Sequence, residues 1–164
     1  MNESNASSTS SVHTISTDPQ QYVTFTLGDG EYGIEILQVQ EFKGYCAVTP
    51  IPNTPTYLRG VMNLRGVIIP VFDLRVRFGL DAAINEFAVI VVAVVSNRTV
   101  GLVVDTVSDV VDIAPSEVQE SVELNAHTPT AFLRGIARTS ERLVILLNLE
   151  HLIAADALSP VTSH

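Results

Sequence analysis

The octapeptide Thr54-Pro55-Thr56-Tyr57-Leu58-Arg59-Gly60-Val61 returns, with one residue inserted, as Thr128-Pro129-Thr130-Ala131-Phe132-Leu133-Arg134-Gly135-Ile136. The segment Val67-Ile68-Ile69-Pro70-Val71-Phe72-Asp73-Leu74 has a partner in Leu143-Val144-Ile145-Leu146-Leu147-Asn148-Leu149, and Tyr32-Gly33-Ile34 has a weaker one in Val100-Gly101-Leu102. Gly135 follows Gly60 by 75 positions, Asn148 follows Asp73 by 75, and Gly101 follows Gly33 by 68, so the order is kept with a small change of length. Two copies are too few for a solenoid. The repeat predicts two related subdomains, about 21–80 and about 86–150, packed face to face with strands open to exchange between them.

Each copy reads as strands. Val23, Phe25 and Leu27 alternate with Tyr22, Thr24 and Thr26, the period of two of a half-buried strand. Gly28-Asp29-Gly30 turns the chain, and a return strand starts at Glu31. Further strands are expected at Val61–Leu64, Val67–Phe72, Phe87–Val95, Thr99–Val104, Val107–Ile113 and Leu143–Leu149, with turns at Arg65-Gly66 and Ser96-Asn97. Apolar residues are 46% of the chain and Trp is absent, so Val, Ile and Leu must build the core, and β-branched residues favour strands. Helix signals are short: Thr54-Pro55 as N-cap and first position with Gly60 as a stop, Leu74–Phe78, and Glu150–Ala157.

Residues 1–20 hold almost nothing large and apolar, which predicts a flexible tail, as do residues 159–164 at the other end. That tail lacks the basic-then-apolar pattern of a signal peptide. The longest apolar run, Phe87 to Val95, is far shorter than the roughly 20 residues a membrane helix needs. A formal charge of −9 repels phosphate backbones and anionic lipid, which argues against nucleic acid and direct membrane insertion. One cysteine, Cys46, excludes an internal disulfide and suits a reducing compartment. Together these predict a cytoplasmic protein.

Catalytic patterns are missing. There is no Gly-x-Ser-x-Gly elbow and no phosphate-cradling loop; Gly28 to Gly33 joins two strands and precedes no helix. His13, His127, His151 and His164 are scattered without metal-ligand spacing, so no metal and no cofactor is expected. Cys46 sits in an apolar stretch and reads as a buried, inert thiol. Asp105, Asp109 and Asp112 read as the charged fringe of a strand edge. A small Ser/His/Asp hydrolase would need an ordered nucleophile and base, which the chain does not offer. Two features stand out instead. Arg65 sits at a hairpin tip between apolar strands, and in Val39-Gln40-Glu41-Phe42-Lys43-Gly44-Tyr45 charges alternate with large apolar groups. The second pattern fits an ordinary strand with one wet face or an interface with charge-framed anchors.

Phe25 to Tyr45, Thr54 to Arg75 (TPTYLRGVMNLRGVIIPVFDLR) and Val100 to Val110 resemble the CheW family of bacterial chemotaxis coupling proteins. The resemblance runs over about residues 21–155, and NLRGVIIPVFDL is its most specific part. It implies an all-β fold of two SH3-like five-stranded barrels around a shared core with short helices, within a domain spanning 21–158. It also implies a non-catalytic adaptor linking the cytoplasmic tips of methyl-accepting chemoreceptors to the regulatory domain of the chemotaxis histidine kinase. Kinase and coupler would alternate in rings beneath membrane receptor arrays, with other copies of the coupler as further ring partners. A coupler of another chemosensory pathway, controlling pili or a second messenger, is the alternative within the same fold.

By matching positions, Val39, Glu41, Phe42, Val67 and Ile68 fall on the kinase-facing surface, and Ile36, Arg65, Ile90, Val107 and Val110 on the receptor-facing one. Glu41 and Arg65 are expected to interact. Val107 and Val110 differ by three, so a regular strand would turn them to opposite sides. Both can border one groove only if the strand bulges near Ser108-Asp109.

Overall fold

The computed structural model describes residues 18–80, 88–120, 132–139 and 141–153. The two expected tails, apart from Asp18 to Gln20, the Thr128–Ala131 part of the repeat, His13, His127 and His164, and the end of the Glu150–Ala157 helix lie outside them.

Apolar–polar alternation becomes β1 (Gln20–Leu27) and β2 (Gly30–Glu35), then β3 (Val39–Gly44), β4 (Leu58–Leu64), β5 (Val67–Asp73) and the one-turn helix α1 (Leu74–Arg77). The second copy gives β6 (Val89–Val95), β7 (Arg98–Val104), β8 (Thr106–Ile113), the two-residue β9 (Val118–Gln119), β10 (Leu133–Thr139), β11 (Arg142–Leu147) and α2 (Leu149–Leu152). The predicted turns at Arg65-Gly66 and Ser96-Asn97 form, and all four residues have positive φ, as the tight hairpins of right-twisted strands require. Asp73 caps α1 by accepting from the Arg75 N–H at 3.0 Å, and Asn148 caps α2 by accepting from the His151 N–H at 3.3 Å. The alternation at 39–45, which fits a strand or an interface, is strand β3, while the strands at 118–119 and 133–139 carry no expectation from the sequence.

The strands make two sheets, ordered β8-β1-β2-β11-β10-β9 and β3-β6-β7-β5-β4. The first hairpin of each copy is therefore exchanged: β1–β2 completes the sheet built from β8 to β11, and β6–β7 completes the sheet built from β3 to β5. The pairing is the same in both, since β11 runs parallel to β2 and β5 parallel to β7, with every other pair antiparallel. The expected five strands per barrel hold for one sheet, and the short β9 adds a sixth to the other.

Because strand residues alternate in direction, each central strand feeds two cores. Ile90 and Val92 of β6 pack with Met62, Leu64, Ile69, Val71 and Val103, all from one sheet. A face buried against its own sheet requires that sheet to curl into a barrel. Tyr22, Ile113, Ala137, Val144 and Leu146 do the same in the other sheet. Val91, Ala93 and Val95 point the opposite way, into a shared core with Phe25, Leu27, Ile34, Phe72, Leu102 and Leu147. Each such side chain contributes about 1.5–3 kcal/mol by leaving water, so this apolar middle layer dominates the adhesion of the two barrels.

The recurring glycines mark matched constraints. Gly60 has φ +143° and a Cβ there would lie 2.0 Å from the Thr49 carbonyl oxygen; at Gly135 it would lie 2.7 Å from that of Gln119. Both follow a bulge, at Leu58/Gly60 and at Leu133/Gly135, so the repeated Leu-Arg-Gly is a bulge motif. This corrects the helix expected at Thr54-Pro55: the segment forms turns, with Thr54 Oγ1 donating to the Ile51 carbonyl at 2.9 Å and the Leu58 N–H to that of Pro55 at 3.0 Å. Gly60 is needed for the close strand contact, not as a helix stop.

Candidate protein-docking site

Hairpin geometry places the first feature. The Asn63 side-chain oxygen accepts from the Gly66 N–H at 2.7 Å, fixing the β4–β5 tip and with it Arg65. β3 and β4 are the two edges of the five-stranded sheet, and the curl brings them together. There the Arg65 guanidinium forks onto the Glu41 carboxylate, with Nη2 close to Oε2 and Nη1 3.4 Å from Oε1. The hydrogen bonds donated by Arg65 hold the Glu41 carboxyl below its usual range, and the same bonds raise the arginine. The pair expected from the sequence is present, and it spans the seam of the barrel.

Around the seam the surface is apolar. Phe42 is 46% exposed, Val67 58% and Ile68 61%. Val39, from the same set, is half-buried against the shared core. Arg65, expected with the receptor-facing residues, thus meets Glu41 at the seam, with exposed Phe42 next to Glu41 in β3 and exposed Val67 and Ile68 following the Arg65 turn.

The expected receptor-facing residues are more dispersed. β1 and β8 pair Val23 with Val110 and Phe25 with Val107, leaving Ser108 and Asp109 opposite Thr24 alone. That is a bulge at the expected place. It puts Val107 and Val110 on one face, beside Phe25 and Val23. Val110 is half exposed, while Val107 packs against the shared core. Ile36 is half-buried in the 3-10 turn Ile36–Gln38, in a cleft with Pro19, Gln20, Gln21, Glu35 and Leu37. Gln21 and Phe25 are four strand residues apart, so Ile36 lies about 13 Å along β1 from Val107. Ile90 is fully buried inside the first barrel. As β6 is a central strand with both faces covered, Ile90 presents nothing to a partner, a correction to its expected place in the groove.

The repeat supplies a counterpart that sequence reasoning missed. The 68-position offset carries Glu41 onto Asp109 and Phe42 onto Val110; the 75-position offset carries Ile68 onto Leu143. Arg142 donates from Nη1 to Asp109 Oδ2 at 3.2 Å and from Nε to Glu31 Oε1 at 3.1 Å, while Thr24 Oγ1 donates to Asp109 Oδ1 at 2.6 Å. Arg142 and then Thr24 hold the Asp109 carboxyl below its usual range. Asp109 is therefore an ion-pair partner and not a merely solvated fringe, and exposed Val110 and Leu143 lie in the same region. Comparing the offsets was the signal available for finding it.

Between the barrels lies a buried charge cluster. Asp73 accepts from Arg75 Nε at 3.0 Å and Nη2 at 2.9 Å, and from Arg59 Nε at 2.8 Å. Burial works to raise the Asp73 carboxyl, but the hydrogen bonds from Arg75 and Arg59 outweigh it and hold the carboxyl low. Among the described residues no three His, Cys, Asp or Glu side chains stand together as metal ligands. Cys46, expected to be buried, is only half-buried against the first barrel's interior, because it follows the end of β3 and leaves the sheet there. Apolar anchors framed by ion pairs are the chemistry of a protein-binding surface.

Comparison with known proteins agrees. The CheW-like domain family matches residues 21–157. The chemotaxis protein CheW of Klebsiella aerogenes is 42% identical over 143 residues, covering 87% of this chain and 86% of that one. A probable chemotaxis protein CheW of Rhizobium etli is 34% identical over 144 residues, covering 87% and 93%. The crystal structure of the scaffolding protein TtCheW from Thermoanaerobacter tengcongensis has a TM-score of 0.78 and 33% identity, covering 85% of this chain and 95% of that one.

Proposed function

This chain belongs to the CheW-like family of chemotaxis proteins, and we propose that it is a non-catalytic adaptor that holds a chemoreceptor tip and a histidine kinase in one signalling complex. The observation that carries this reading is the exposed trio Phe42, Val67 and Ile68 beside the Glu41–Arg65 pair. Three large apolar groups, one on β3 and two at the start of β5, lower free energy only when something covers them, and the fork beside them orients what does. The kinase's regulatory domain covers this end of the first barrel. The receptor's helical hairpin meets the face bearing Val110, where helices dock through apolar anchors. Similar ion pairs and exposed apolar side chains at Asp109, Val110, Arg142 and Leu143 support a chain that joins partners end to end. No described helix is long and apolar enough to cross a membrane, and the adaptor would reach the array through the receptor.

Co-sedimentation with receptor-containing membranes tests this. Kinase that pellets only when this protein is present establishes coupling. Kinase sedimentation independent of the protein rejects it.

A further inference from the structure

Two chain crossings connect the sheets at repeat-equivalent positions, and they are built differently. From β2 to β3 the chain passes through Ile36–Gln38, where Leu37 is 91% exposed. From β7 to β8 it passes through Asp105 alone, the position 68 residues after Leu37. Asp105 leaves the five-stranded sheet at Val104 and enters the six-stranded sheet at Thr106.

Its side chain holds both barrels. Oδ1 accepts from Arg75 Nη1 at 3.1 Å, and Arg75 belongs to α1 at the end of the first barrel's β5. Oδ2 accepts from the Gly28 N–H at 2.8 Å, in the β1–β2 turn of the second barrel. The Asp105 N–H donates to the Thr26 carbonyl at 3.1 Å. Arg75 itself is held by Asp73, so the carboxylate docks on a guanidinium with little freedom to follow it.

Apolar packing is non-directional, and the shared core alone leaves the two barrels able to slide or rock at small cost. Charge-assisted hydrogen bonds fix direction as well as distance. We infer that Asp105 is a positioning residue: by bonding Arg75 on one side and Gly28 on the other, it fixes the entry of β8 and hence the face that carries Val107 and Val110. Val107 is two residues beyond it, and the bulge at Ser108-Asp109 follows directly. A change at Asp105 therefore acts on the receptor-facing strand and leaves the seam at Glu41 and Arg65, on the far edges of the other sheet, in place. The receptor side of this inference rests on the adaptor reading.

The test uses the full chain with Asp105→Asn and Asp105→Glu. Spin labels at Gln40→Cys on β3 and Asp112→Cys on β8, in a Cys46→Ala background, report the inter-barrel distance by pulsed electron resonance. Binding is measured to a recombinant chemoreceptor cytoplasmic hairpin and to the kinase regulatory domain. Asp105→Asn is expected to broaden the distance distribution and to weaken the hairpin about ten-fold while kinase-domain affinity stays within two-fold. Asp105→Glu, which keeps the charge but carries it one methylene farther out, is expected to fall between Asp105→Asn and the unaltered protein, with a shifted distance and a smaller, still selective, loss of hairpin affinity. An unchanged distribution in folded Asp105→Asn overturns the inference, as does parallel loss of both partners. If Asp105→Asn fails to fold, Asp105→Glu is read alone: the proposal then requires a shifted distance with selective hairpin weakening, and a wild-type pattern rejects it. Should the unaltered protein bind neither partner, the adaptor reading falls, while the distance measurement still decides the role of Asp105.

Discussion

Arg65, at the tip of the β4–β5 hairpin, and Glu41, on the edge strand β3, meet across the seam where one sheet closes on itself. The contact is exposed on the arginine side, so water and salt screen it. Its value lies in where it holds the hairpin tip, since Val67 and Ile68 leave that tip as the first residues of β5.

Arg65→Ala should lose receptor-controlled kinase activity while melting within a few degrees of the unaltered protein. Glu41→Arg with Arg65→Glu should recover part of the loss, because the reversed pair spans the same seam. Normal kinase control in folded Arg65→Ala would remove the pair from the mechanism.

Ile68→Glu places a charge on an already exposed site, so it should leave the fold unchanged and weaken kinase-domain binding by at least ten-fold. Burying an unpaired carboxylate costs more than the roughly 1–3 kcal/mol of an unpaired neutral polar group. Calorimetric titration of the kinase regulatory domain measures it. Full affinity would mean that this end of the barrel is left uncovered.

Much of this arrangement was legible in the chain. The Leu-Arg-Gly repeat foretold two related halves, although the reason for its glycines, a bulge with a close backbone contact at Gly60 and Gly135, shows only in the fold. The three-residue spacing of Val107 and Val110 demanded a bulge in β8 only if both were to share a face, and the strand has that bulge. Ile90 was misplaced because a strand covered on both faces shows an unbroken apolar run, which does not tell an inward residue from a groove residue. The charge cluster escaped notice for another reason. Asp73, Arg75 and Arg59 look like ordinary polar residues until tertiary packing buries the first two completely.

That cluster predicts the acid limb of stability. The Asp73 carboxyl is held below its unfolded value of about 3.9, so its ionised form stabilises the fold above that pH. The contribution is lost as pH falls through the lower, folded value; Glu41 and Asp109 are shifted in the same direction. Urea midpoints should hold from neutral pH to about 5 and decline below about 4. Asp73→Asn should cost about 3–5 kcal/mol at pH 7, because Arg75 stays buried with only the Asp105 carboxylate at one of its nitrogens, and should show a shallower acid decline. An equally steep decline in that variant would assign the limb to other groups.

The bulge in β8 separates two valines by consequence, although both share one face. Val107 packs against the shared core, so Val107→Asp must bury a charge or expel it, and loss of thermal stability should come first. Val110 stands half in solvent beside Asp109, whose carboxylate is already engaged by Arg142 and Thr24. Val110→Asp leaves its own charge hydrated in the free protein, and circular dichroism should find the fold intact. A receptor hairpin covering this face would have to strip that hydration. Pull-downs should show receptor binding by Val110→Asp reduced at least ten-fold and kinase-domain binding retained, with Val110→Ser intermediate. Equal retention of both partners by folded Val110→Asp would move the receptor contact off β8, leaving Ile36 and the exposed Leu37, at the other end of β1, as the face to test.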